Sequence, residues 1–102
     1  MDTRHLTAGA TLWLPVQVEG ALFSLGDGHA AQGDGEVCGT AIETPMRSSV
    51  RLTVRKDVRV TAPEFRTAAP LGLSTNTAGW LAADGIGPDL FAAARDAVRR
   101  MI

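Results

Sequence analysis

Apolar residues recur along this chain at two spacings, and the spacings divide it. In residues 10–18, ATLWLPVQV, Leu12, Leu14, Val16 and Val18 share one parity, the period of a strand. Pro15 falls inside that run and predicts an edge position or a bend. Glu19-Gly20 reads as a turn. Residues 21–25, ALFSL, read as a short buried strand, and Val37 to Ile42 as another, ended by Thr44-Pro45. Residues 49–61 alternate most strictly. Val50, Leu52, Val54, Val58 and Val60 take one parity, broken by Lys56, while Arg51, Thr53, Arg55, Asp57, Arg59 and Thr61 take the other. That pattern predicts a strand with one wet face, as in antiparallel sheets. Residues 62–80 lack a period and read as short strands and loops.

Over residues 86–102 the spacing becomes helical. Leu90, Ala94, Val98 and Ile102 form a stripe, with Phe91 and Met101 beside it. Pro88 suits a first helical position, Asp89 complements the positive end of the dipole, and Asp96 with Arg100 makes a surface pair. The stripe reads as core rather than as a membrane face, because the polar face is not strongly basic. It is still running at Met101-Ile102 with no capping glycine, so the chain is expected to be a piece of something longer. Together these elements predict a β-dominated α+β class: mostly antiparallel sheet with one C-terminal helix, a single segment over 1–102, and part of a larger β-rich fold.

Between the second and third apolar segments lies GDGHAAQGDGE, Gly26 to Glu36. Gly26, Gly28, Gly33 and Gly35 exclude a stable helix and weaken any strand. Such a run is accepted where the backbone turns sharply or approaches something closely. GDGHAA matches a loose dinucleotide pattern, but that pattern needs a helix to open at once, and Gly33 and Gly35 forbid one. The calcium-loop pattern fails at His29 and Ala31. No G-x-S-x-G elbow is present. Ser48-Ser49 with Lys56 lacks the glycine-rich setting of a serine–lysine amidase. Metal or acid–base chemistry survives. Asp27 and His29 are two apart, so in extended backbone they project together and suit a borderline cation such as zinc. They supply two of the three protein ligands a catalytic zinc needs. Asp34 and Glu36 form a second same-facing pair, one of which would serve as general base toward a bound water. The bland alternative is that these acids and amides only satisfy the backbone of a tight double turn.

Composition narrows the class. A net charge of −1 leaves no electrostatic footprint for nucleic acid. One cysteine excludes an internal disulfide framework. There is no long uncharged apolar run and no signal-peptide start, so the expectation is a soluble cytoplasmic chain with no membrane partner. Cys38, in VCGTAI, reads as a small buried hydrophobe rather than a nucleophile. His5 reads as a surface or boundary histidine, and Trp13 and Trp80 as packing residues. Glu43 either lines a pocket or caps a turn. Arg51, Arg55 and Arg59 read as a solvated face or a subunit contact.

The segment GALFSLGDGHAAQGDGEVCGTAIE, Gly20 to Glu43, closely resembles the characteristic segment of the acetamidase/formamidase family. MDTRHLTAGATLWLPV resembles the stretch leading into it, and GIGPDLFAAARDAVRRMI is similar to the family's late helix. The resemblance covers nearly the whole chain. It implies hydrolysis of the C–N bond of short linear amides to carboxylate and ammonia, in a β-rich fold with a metal-supported site. It also implies a chain incomplete at both ends, with further ligands in a missing N-terminal portion. On this resemblance Asp27 and His29 would hold a divalent cation, zinc first and calcium second. Glu36, or failing it Asp34, would relay the proton to the leaving ammonia, and Gln32 would donate to the developing oxyanion. The expected partners are a small amide and either further copies of the chain or the missing portion. The rival reading is an inactive metal-binding or subunit-interaction module.

Overall fold

The computed structural model describes residues 2–67 and 79–102. In chain order the elements are β1 (Thr11–Trp13), β2 (His29–Ala31), a single 3-10 turn (Val37–Gly39), β3 (Ile42–Glu43), β4 (Glu64–Arg66), β5 (Leu81–Ala83) and α1 (Leu90–Met101). Every strand pairing is antiparallel and α1 lies at the C-terminal end, so the structure is the β-dominated α+β class that the spacing predicts. The chain resolves into two compact units, one comprising Met1–Arg4 and Gln17–Val58, the other His5–Val16 and Arg59–Ile102.

The second unit holds the apolar core. β4 is central, with β1 and β5 on either side. Leu12, Phe65 and Ala82 stand opposite one another across the three strands, so their side chains share a face. Phe65 and Ala62 are the buried apolar residues among those described. His5 is half-buried and stacks on the Phe65 ring, with centroids 6.4 Å apart. Past the end of β4 the pairing continues: Thr67 N–H donates to Trp80 O, and the Thr67 hydroxyl accepts from Trp80 N–H at 2.8 Å.

The C-terminal helix starts later than Pro88. Asp89 is its N-cap, and a carboxylate oxygen accepts from Ala92 N–H at 2.8 Å. The packed face also differs from the expected stripe. Leu90, Phe91 and Val98 are exposed, Leu90 by 87%, whereas Ala92, Ala93, Asp96, Ala97 and Arg100 are half-buried. Gly85 accounts for the choice. A Cβ there would run into the Ala93 carbonyl oxygen and lie 2.6 Å from Ala97 N. The backbone at Gly85 approaches the helix closely, and only small side chains leave room for that. Asp96 and Arg100 form the predicted pair at 2.8 Å, which holds the Asp96 carboxyl below its ordinary value, and Arg100 also donates to the Thr61 hydroxyl.

Much of the strand pattern is not realised. β1 spans three residues of the 10–18 run. In ALFSL no strand forms: Ala21 and Leu22 take left-handed backbone, and Leu22 is 78% exposed. Cys38 sits at φ 62 in the 3-10 turn and is exposed, not buried in a strand. In residues 49–61 no strand forms either, and Val50, Leu52, Val54 and Val58 are exposed. Alternation supplies a face for pairing, but no other described strand pairs with this segment. Its clearest local contact is between Arg55 and Asp57, whose carboxyl the Arg55 hydrogen bonds pull down to about 2. Of the stretch 62–80, residues 64–66 form β4, and 68–78 lie outside the described residues.

Two substitutions separate the forces on α1. Asp89→Ala removes the cap and is expected to lower stability by about 1 kcal/mol. Gly85→Ala forces a methyl into the helix backbone and is expected to cost more, up to about 3 kcal/mol. Urea melts followed by helical circular dichroism give the order. An alanine at 85 that is tolerated as well as one at 89 would contradict the close approach.

Candidate functional site

The first unit contains none of the buried apolar residues found among those described, while its His29 and Glu36 side chains are only 8% and 10% exposed. β2 and β3 bring them together. His29 stands opposite Glu43 and Ala31 opposite Ile42, with a bulge between His29 and Ala31. Thr44 N–H donates to Gly28 O at 3.0 Å and extends the pairing backward. A Cβ at Gly28 would lie 2.7 Å from Met46 Cβ, so this glycine lets the two strands approach. Asp27 precedes β2 at φ 60, and Glu36 follows it at φ 46. Both are non-glycine residues in the left-handed region, a conformation that persists where surrounding contacts hold it.

These bends aim four side chains at one place. The His29 ring is 8% exposed. Its Nε2 lies 3.1 Å from Asp27 Oδ1, 3.2 Å from Glu43 Oε1 and 3.6 Å from Glu36 Oε1. Its Nδ1–H donates to Gln32 Oε1 at 2.7 Å, and Gln32 Nε2 donates to the backbone carbonyl of Asp2 at 2.8 Å. One oxygen each from Asp27 and Glu43 and a ring nitrogen of His29 lie within 4.8 Å of one another, and oxygens of Asp2, Asp27 and Glu36 do the same. Asp27 belongs to both groups. Asp34 belongs to neither. It is 77% exposed and accepts from Arg4 Nε at 2.9 Å, so the expected pairing of Asp34 with Glu36 is replaced by an ion pair of Asp34 with Arg4.

The electrostatics follow from crowding. Gln32, by accepting from the ring, raises the His29 pKa, and the charges of Glu43 and Asp27 raise it further against the opposing effect of burial. Glu36 is 10% exposed, and burial followed by the Asp27 charge pushes its carboxyl up. One imidazole nitrogen and two carboxylate oxygens are donors that could hold a cation. Asp27 and His29 do meet, but the expected extended backbone is not the cause: Asp27 is left-handed, and the turn rather than strand parity brings it to Nε2. Spacing alone leaves Glu43 between a pocket and a cap, and gives Asp2 no role. The pairing of β2 with β3 supplies Glu43, and the Gln32 contact supplies Asp2.

The model of the Acetamidase/Formamidase family matches residues 1–102, and the chain belongs to that family. An acetamidase of Mycolicibacterium smegmatis is 52% identical over 44 residues, which are 41% of this chain and 11% of that protein. A formamidase of Methylophilus methylotrophus is 40% identical over 58 residues, 55% of this chain and 14% of that protein. A Schizosaccharomyces pombe relative is 41% identical over 58 residues, with the same coverage of 55% and 14%. The matched part is thus a small fraction of each relative's length. No solved structure matches the chain. No helix among the described residues is long and apolar enough to cross a membrane.

Both raised groups give the same sign of pH dependence. Protonated His29 is favoured by the fold, so its contribution is complete below 6.5 and is lost as pH rises through its raised folded value. Neutral Glu36 is favoured likewise, so its contribution is complete below 4.5 and is lost as pH rises through its own raised value. Without added cation, the first unit is expected to lose stability as pH rises above 4.5, and again as it rises above 6.5. Histidine and carboxyl NMR titrations check this. A His29 midpoint at or below 6.5 contradicts the geometry.

Proposed function

We propose that this chain carries part of an amide-hydrolysing site that acts on short linear amides and yields carboxylate and ammonia. Membership of the family and the names of the acetamidase and formamidase relatives support the reaction class. The observation that carries the reading is the convergence of Asp27, His29 and Glu43 from paired strands onto one small space. A cluster built only to satisfy a turn has no need of three anionic or basic groups facing one another. The nitrogen-plus-carboxylate set fits a divalent cation, zinc before calcium, since calcium prefers six or more oxygens. Such an ion supplies Lewis-acid polarisation of a carbonyl and a more acidic water.

The chain's own residues take these roles. Asp27, His29 and Glu43 would hold the ion. Glu36, almost buried and with its carboxyl pushed up, accepts the proton of the attacking water and returns it to the leaving nitrogen. Asp34, exposed and paired with Arg4, is the weaker choice for that relay. Gln32 is already engaged by His29 and by the Asp2 carbonyl, so it positions the ring rather than serving an oxyanion.

A second reading rests on a different observation. Val50, Leu52 and Val54 stand exposed along one segment of the first unit, which suits an association module that contacts another copy or another polypeptide. Ammonia release from formamide and acetamide, with and without added Zn²⁺, separates the two. Hydrolysis is expected, and Glu36→Gln is expected to lower turnover by about 10²–10⁴-fold while zinc still binds. Turnover unchanged in that variant removes Glu36 from the mechanism. Absence of hydrolysis, with sedimentation showing an oligomer, favours the association module.

A further inference from the structure

Residues 44–55 of the first unit contain no bend, turn or left-handed backbone, and 45–59 are exposed without exception. Over 46–55 no backbone group bonds to another backbone group among the described residues. Water satisfies those groups, so the drive to cover the segment comes from its apolar positions. Val50, Leu52 and Val54 stand exposed in alternation with Arg51, Thr53 and Arg55, and in a strand they would share one face. Open backbone beside alternating apolar residues is a template for another strand. The charges discriminate among the ways a second copy could supply it. Laid parallel and in register, it would set Arg51 on Arg51 and Arg55 on Arg55. Antiparallel and centred on Arg51, it sets Arg51 on Arg51; centred on Thr53, it sets Arg51 on Arg55. Centring on Val50 places Leu52 against Ser48, and centring on Val54 places Leu52 against Lys56. Centring on Leu52 avoids all of these. Leu52 meets Leu52, Val50 meets Val54, Arg51 meets Thr53, and Arg55 meets Ser49. Like charges directly opposite destabilise paired strands, and apolar pairs stabilise them. Carried on to residue 57, the same register brings Asp57 of one copy to Arg47 of the other.

We propose that residues 49–55 pair antiparallel with the same segment of a second copy of this chain, about a two-fold axis at Leu52. A two-fold contact uses the same patch on both copies, so every pair off the axis occurs twice. The proposal names the partner that the association reading leaves open. It holds whether or not the Asp27–His29–Glu43 cluster hydrolyses amides, because sedimentation and ammonia release are measured separately.

The test uses the 102-residue chain. Sedimentation equilibrium over a concentration series is expected to show monomer and dimer in exchange, and this measurement needs no variant. Thr53→Glu sets a carboxylate opposite Arg51 and is expected to tighten the dimer by about 2- to 30-fold, two contacts changing at once. Thr53→Arg sets arginine opposite arginine and is expected to weaken it by a similar factor. Thr53 is exposed, so circular dichroism is expected to be unchanged in both. In a Cys38→Ser background, oxidation of Leu52→Cys is expected to give a disulfide-linked dimer, because directly opposed strand residues lie within bridging range. Val50→Cys, opposed by Val54, is expected to stay unlinked. A chain that remains monomeric at every concentration overturns the proposal and leaves the segment to a strand of another polypeptide. A dimer indifferent to the charge at 53, or linked through 50 as readily as through 52, overturns it as well.

Discussion

Three carboxylates share the space around one imidazole nitrogen, and the first unit is organised by that crowding. Asp27, Glu43 and Glu36 lie 3.1 to 3.6 Å from His29 Nε2. Like charges gathered around one nitrogen repel, and a proton on His29 or Glu36 relieves that repulsion. His29 is raised first by its hydrogen bond to Gln32, and Glu36 first by burial and then by the Asp27 charge. Apolar packing does not supply the order here, since the buried apolar residues among those described, Ala62 and Phe65, belong to the second unit. The loop is held by hydrogen bonds, by the β2–β3 pairing, and by left-handed backbone at Asp27 and Glu36.

The second unit follows different physics. Phe65 on the central strand gathers Leu12, Ala82 and His5, and α1 is set by the close approach at Gly85. That approach selects the alanine face of the helix and turns Leu90 and Phe91 outward. Helix amphipathicity therefore misdirects when a glycine contact, rather than side-chain volume, determines the packed face. The same lesson applies to residues 49–61. Alternation describes a face suited to pairing, but a strand exists only when a neighbour supplies the hydrogen bonds.

Within the family to which the chain belongs, the cluster gives the proposed amide chemistry a physical basis. An almost buried glutamate with its carboxyl pushed up has the environment the proposed proton relay needs, while an exposed aspartate paired with arginine does not. Gln32 connects the cluster to the backbone at Asp2, so both ends of its amide are engaged within the first unit.

The amino-acid sequence alone determined the class, the family resemblance and a C-terminal helix opening near Pro88 and Asp89, and it offered Asp27, His29 and Glu36 as candidates. Those properties are local: a period of about 3.6, a proline and an acid where it begins, and a glycine-spaced run of ligand-type residues. Tertiary structure alone decided that Glu43 joins His29, that Asp34 turns to Arg4, and that Gln32 reaches Asp2. It also decided that ALFSL and residues 49–61 are not strands and that α1 packs by its alanines. Each of those outcomes depends on which partner a group meets across the chain, and spacing along a sequence carries no information about a partner that lies 30 residues away.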